Sequence, residues 1–191
     1  MKTLTAYSPG LALVLLMISF ASCKKRKRNG PEVKVDLSVK TVTNLNDGND
    51  TLSLPFYYSL ALNKQVTENE AWDLRFKRST ILTNKGGSSK LVDGVFSDYV
   101  TTFTTDFMPG SVGQWYEYDS DPHIVTPKRN KIIVVRTASG NYAKLEILSY
   151  YKDSPTRKST SHFTHPEFSP SKSEHYTFKY VYQADGSTRL K

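Results

Sequence analysis

The stretch from Ala71 to Ser89 constrains this chain most. It starts in strict alternation, with Trp72, Leu74 and Phe76 on one side of an extended backbone and Asp73, Arg75 and Lys77 on the other. Successive side chains of a strand point to opposite faces, so a period of two marks a strand with one buried and one wet face. The stretch closes on Thr83-Asn84-Lys85-Gly86-Gly87-Ser88-Ser89, the composition of a mobile or tightly turning loop. On residue types alone this is a core strand running into a surface loop.

The same period recurs along the chain. Val33, Val35, Leu37 and Val39 alternate with polar residues and predict a first strand. Residues 54–62 predict another, with Pro55 confining its start to a sheet edge. Val95 to Phe103 reads as extended. Lys131 to Thr137 reads as a buried strand, 138–141 as a turn, and Tyr142 to Tyr151 as its hairpin partner with Ala143, Leu145 and Ile147 facing in. A closing strand over 175–182 puts Tyr176, Phe178, Tyr180 and Tyr182 on one face. Residues 44–50, 65–70 and 152–174 read as polar connections, the last holding His162 and His165, with His175 at the exposed start of the closing strand. Residues 104–127 form the least regular part, with a short aromatic segment at 114–118. There is no helical periodicity of useful length and no internal repeat. At 191 residues, the chain is one sizeable domain and not comfortably two. The expectation is a single all-β, mostly antiparallel domain over 32–191.

What precedes that domain reads as targeting rather than structure. Lys2 is followed by an apolar run from Leu11 to Phe20, too short for the ~20 residues that a spanning helix needs. Phe20-Ala21-Ser22-Cys23 resembles a bacterial lipobox, with Phe20 where leucine is usual. Residues 1–22 are then a lipoprotein signal, and 23–31 a lipidated Cys23 with a short basic tether. An acyl anchor gains roughly 0.8 kcal/mol per buried methylene. The run Lys24-Lys25-Arg26-Lys27-Arg28 adds roughly 1 kcal/mol per residue against an anionic surface. This run and Lys2 account for most of the formal charge of +8, and +2 remains when those six are set aside. The charge therefore does not mark a nucleic-acid binder, and no basic helix is present. Cys23 is the single cysteine, so neither an intramolecular disulfide nor a cysteine metal cluster can form.

Enzymatic chemistry has little foothold. There is no Gly-x-Ser-x-Gly, no His-Glu-x-x-His and no phosphate-binding loop entering a helix. His162 and His165 lie three apart beside Pro166, among serines and threonines, and read as solvated loop residues. His123 follows Pro122 in an irregular loop beside aromatic residues.

The signature strand, Trp72-Asp73-Leu74-Arg75-Phe76-Lys77-Arg78 with Thr83-Asn84-Lys85-Gly86-Gly87, resembles that of the HmuY-like haem-binding lipoproteins. Val134-Val135-Arg136-Thr137, Gly140, Tyr142-Ala143-Lys144-Leu145, Leu148-Ser149-Tyr150-Tyr151 and Tyr180-Val181-Tyr182-Gln183 are similar to the same family's C-terminal pattern. The resemblance covers roughly residues 54–187. It implies an all-β fold holding haem between two axial side chains, His with His or Met with Met, from loops between the signature strand and the valine-rich strand. Here that segment departs, offering Met108 and His123 as a mixed pair. Thioether and neutral imidazole are both haem-iron ligands. Tyr99, Trp115, Tyr116 and Tyr118 are the candidate pocket lining. The resemblance further implies an outer-membrane lipoprotein, on the cell-surface or periplasmic face, that passes haem or a related tetrapyrrole to a TonB-dependent outer-membrane receptor without making or breaking a bond. Two other classes fit the bare pattern: a surface adhesion or carbohydrate-binding β module with an aromatic platform, and a hydrolase with converging carboxylates or a Ser/His pair.

Overall fold

The alternating segments become strands wherever one face is buried and a neighbouring strand accepts the backbone ladder. The computed structural model describes residues 36–49, 53–155 and 166–191. Its strands are, in chain order, β1 (Lys40–Leu45), β2 (Phe56–Ser59), β3 (Lys64–Val66), β4 (Leu74–Lys77), β5 (Thr80–Thr83), β6 (Ser88–Asp93), β7 (Tyr116–Asp119), β8 (Ile124–Pro127), β9 (Lys131–Arg136), β10 (Tyr142–Ser149) and β11 (Tyr176–Gln183). Two single 3-10 turns, Pro166–Phe168 and Pro170–Lys172, precede β11, and no α-helix occurs among the described residues. One sheet has the order β1-β11-β10-β9-β6, a second β3-β2-β4-β5, and β7 and β8 form a separate hairpin. Every pairing is antiparallel. The domain is all-β, as the periodicity predicts.

The two larger sheets bury their facing sides together. Leu74 and Phe76 of β4 are fully buried, as the alternation requires, and Lys77 between them and the next turn is exposed. Tyr176, Phe178, Tyr180 and Tyr182 of β11 all enter the same core. Aromatic rings interlock across the layer. Phe76 stacks on Phe56 with centroids 5.3 Å apart and lies 4.7 Å from Tyr176, while Tyr58 meets Phe178 edge-on at 5.5 Å. These offset and edge-to-face arrangements suit the ring quadrupole and add to the burial of area. Buried hydroxyls keep partners: Tyr180 donates to Asn63 Oδ1 at 2.7 Å and Tyr176 to the Arg78 carbonyl.

The outer face of the five-stranded sheet is also covered. Ile132 and Val134 alternate with the core residues Ile133 and Val135, so they point the other way, and with Tyr142 and Leu190 they form a second small core joined by Val92, Tyr99 and Phe107. The cover comes from two irregular segments, 94–108 and 184–191. They are tied to each other by Leu190 N–H to Val100 O (2.8 Å) and Thr102 N–H to Thr188 O (3.0 Å).

Several local expectations change in the structure. The first strand begins at Lys40, because only there does the backbone reach β11 (Lys40 opposite Tyr180), and Val39 before it is exposed. β2 is a central strand, and Pro55 lies one residue before it, where no ladder hydrogen bond is required. β3 occupies what reads as polar linker, since three residues suffice once β2 supplies the template. Residues 95–99 make a helical turn rather than a strand, with Asp98 N–H and Tyr99 N–H both donating to Val95 O. His175 is buried, not exposed: its Nδ1 bonds the Ser173 carbonyl (2.8 Å) and its Nε2 meets Asn46 Nδ2 (3.1 Å). The signal peptide, Cys23, the basic tether, and the loop histidines His162 and His165 lie outside the described residues.

Candidate functional site

The irregular region 104–127 does two separate jobs. Residues 108–112 run along the open edges of both sheets. Met108 exchanges backbone hydrogen bonds with Ser89 of β6 (2.8 and 2.9 Å), and Thr83 and Val112 bond Gly110 O and Ile81 O across β5 (both 2.9 Å). Pairing both edges removes two templates for unwanted strand addition. Because its backbone is consumed by this seam, the Met108 side chain is left outside, 67% exposed.

That thioether stands on the rim of a cavity of about 600 Å³ over the β6 edge. Leu91, Val92, Tyr99 and Phe103 supply its apolar and aromatic lining, and Lys90 and Asp106 its charges. Lys90 Nζ donates to Phe103 O (2.8 Å) and Thr105 O (3.1 Å) and lies 4.6 Å from the Phe107 ring centre, which fixes the 103–107 loop over the sheet. Tyr99 donates its hydroxyl to Thr102 Oγ1 at 2.8 Å. Phe103 is 80% exposed, an unusual position for a large aromatic unless something covers it. A pocket of this size with apolar walls and few charges suits a small, largely apolar ligand.

His123 lies elsewhere, at the end of the β7–β8 hairpin, after a cis Asp121–Pro122 bond and with φ of 67°. Its Nδ1 is 2.6 Å from the Tyr118 hydroxyl, and both side chains are exposed. If Nδ1 carries the proton and donates to the Tyr118 oxygen, Nε2 keeps its lone pair for a metal. Such an outer hydrogen bond fixes both tautomer and ring orientation.

The sequence-predicted residues thus fall into three places. Tyr99 and Met108 share the cavity beside β6, whereas Tyr118 and His123 share the hairpin tip. Trp115 is in the core, 2% exposed, with its indole N–H donating to Ser79 O at 3.0 Å, and it meets Tyr116 edge-on and Tyr176 at a tilt instead of lining an open pocket. Tyr116 is half-buried, and its hydroxyl accepts from Ser79 Oγ. None of the four cavities described holds both Met108 and His123. Among the described residues no cluster of three His, Cys, Asp or Glu side chains is placed to hold a metal ion. Phe103 is the lining residue that sequence reading passed over. Its signal was present, a lone phenylalanine inside Thr101-Thr102-Phe103-Thr104-Thr105.

Solved structures share this architecture. A candidate lipoprotein of Bacteroides fragilis matches with TM-score 0.57 and 16% identity over 78% of this chain and 94% of its own. The apo HmuY analogue of Tannerella forsythia matches with TM-score 0.53 and 13% identity over 78% and 96%. The fold is the HmuY-like one. A candidate HmuY-like haem-binding protein of Bacteroides vulgatus matches with TM-score 0.50 and 16% identity over 77% and 93%. No family model and no curated relative matches the chain. In the HmuY-like fold as built here, the irregular elements that carry Met108 and His123 both insert between β6 and β9, the two strands that pair at the sheet edge.

Proposed function

We propose that this protein is a membrane-anchored carrier that captures haem or a related tetrapyrrole. The observation that carries the reading is Met108: an exposed thioether, held by a backbone seam on an HmuY-like fold, beside an apolar cavity lined by Tyr99 and Phe103. A thioether is a soft ligand suited to haem iron, and apolar and aromatic walls suit the porphyrin face. The proposed second axial ligand is His123, oriented by Tyr118 at the hairpin tip outside that cavity, which requires the iron to sit between the cavity mouth and the hairpin. Binding is then reversible ligation plus apolar burial, with no bond made or broken in the protein. The cell-envelope address rests on the lipobox-like Phe20-Ala21-Ser22-Cys23 and on the candidate lipoprotein among the structural neighbours. Delivery to a TonB-dependent outer-membrane receptor completes the proposed role.

The test is an absorbance titration of the purified protein with haemin, oxidised and reduced, beside Met108→Ala and His123→Ala. The expected result is a saturable Soret shift at one equivalent, weakened in both variants. A shift that neither variant changes keeps haem binding and removes these ligands. Absence of a saturable shift overturns the haem reading, and an exposed aromatic binding surface around Phe103 for another ligand takes its place.

A further inference from the structure

Lys144 is the most unusual charged residue in the domain. It sits mid-strand in β10, on the polar side of the alternation, yet only 3% of it is exposed. The helical turn at 95–99 lies over it. Its Nζ donates to Phe96 O (2.7 Å) and Tyr99 O (2.8 Å) and stands 4.5 Å from the Phe96 ring centre. No carboxylate bonds it among the described residues. An ammonium carries three donors, so one is left without an acceptor there. Burial holds its proton affinity below the ordinary lysine range, helped by the nearby positive charges of Lys179 and Lys191 and opposed by Asp98.

Lys144 also lines a cavity of about 510 Å³ on the outer face of the five-stranded sheet, separate from the one beside Met108. Its walls are mostly aliphatic: Val39, Val95, Val181 and Leu190, with Phe96. Val39 and Val95 stand at the rim, each at least half exposed. The charged lining is three lysines, Lys144, Lys179 and Lys191, against one carboxylate, Glu146, which is already paired with Lys179 at 2.8 Å. The volume lies within the roughly 300–1,000 Å³ of small-molecule sites. An apolar slot with one buried, incompletely bonded ammonium complements an anionic head on an aliphatic body.

We propose that this cavity binds a medium-chain carboxylate, a free fatty acid, with its head toward the Lys144–Lys191 side and its chain along the exposed Val39 and Val95. The requirement for a free carboxylate distinguishes it from an esterified acyl chain. The site is independent of the tetrapyrrole reading.

Calorimetric titration of the purified protein with decanoate, decanol and decyltrimethylammonium tests this. Decanoate is expected to bind saturably at one equivalent, and decanol at least about tenfold more weakly, the loss expected when a charged hydrogen bond is removed. Lys144→Met should weaken decanoate by a similar factor. Since that change also strips two carbonyls of their donor, Val95→Glu provides a second arm. It adds a negative charge at an exposed rim position, leaves the near-ultraviolet spectrum unchanged, and should likewise weaken decanoate about tenfold while haemin binding is untouched. Equal affinity for decanoate and decanol, decanoate binding indifferent to Val95→Glu, or no saturation overturns the proposal. Loss of haemin and decanoate together in Val95→Glu overturns it as a separate site.

Discussion

Phe76 shows how much of this core rests on single aromatic residues. It has no exposed surface, and its ring meets Phe56, Tyr176 and Phe178 at 5.3, 4.7 and 5.9 Å, so it touches both sheets. Truncation leaves a cavity walled by three rigid rings that cannot collapse into it. Phe76→Ala should therefore cost about 3–5 kcal/mol, the usual range for a buried phenylalanine. The contrast is Met108→Ala. Its side chain is mostly in solvent and its structural work is done by backbone, so stability should change by less than about 0.5 kcal/mol. Urea unfolding midpoints at unchanged slope check both. A large loss for Met108→Ala would mean that its side chain, and not the ladder to Ser89, seals the sheet edges.

At the scale of elements, the turn from β5 into β6 decides whether the two sheets can share a chain. Asn84 to Gly87 reverses direction there. Asn84 Nδ2 donates to Trp72 O at 2.8 Å and Gly87 N–H to Asn84 O at 2.8 Å. A Cβ on Gly87 would lie 3.1 Å from Asn84 O and 3.3 Å from Arg136 O, both backbone atoms inside hydrogen-bonded structure. Gly140, in the β9–β10 turn, has φ of 83° and open space around it. Gly140→Ala therefore meets only the left-handed backbone penalty, about 1–2 kcal/mol, whereas Gly87→Ala must push back two hydrogen-bonded backbone carbonyls by a few tenths of an ångström and should cost more despite its ordinary φ. Thermal midpoints of the two variants test the order. The same scale shows what was legible in advance. β4, β10 and β11 were readable from the alternation of their core-facing residues, β9 from an unbroken apolar run buried on both faces, and Thr-Asn-Lys-Gly-Gly as a turn. β3 and the β7–β8 hairpin were not: β3 has three residues, and β7 and β8 together bury only Ile124. The 95–99 turn was missed because Val95, Phe96 and Tyr99 are apolar for a tertiary reason, the covering of Lys144 and Ile132. For the site, Met108 and Tyr99 were identifiable as residues, but their sharing one cavity depends on the seam to β6. His123 was separated from them by a hairpin that the sequence signals only weakly.

The whole molecule holds its layers together with buried tyrosines, and this gives the fold a pH limit. Burial raises the phenol pKa of Tyr58, Tyr150, Tyr151, Tyr176 and Tyr180 above the ordinary 10.0. The folded state thus keeps protons that the unfolded chain releases above about pH 10. Their stabilisation is fully present below that pH and is lost as pH rises toward the folded values. Lys144 acts in the opposite sense. Its folded pKa is lowered, so the unfolded chain binds the proton more readily, and stability from this one group rises as pH approaches 10.5. Five phenols outweigh one ammonium, and the net slope above pH 10 should be steeply negative. Tyrosinate absorbance from the buried phenols is expected to rise in one cooperative step that coincides with loss of the far-ultraviolet β signal. Gradual ionisation of all tyrosines ahead of unfolding would contradict this, since it would require the aromatic layer to admit water while the sheets stay paired. Tyr176→Phe removes one such proton and leaves the Arg78 carbonyl without its donor. It should therefore flatten the alkaline slope while lowering stability at neutral pH by about 0.5–1.5 kcal/mol, the net worth of one hydrogen bond.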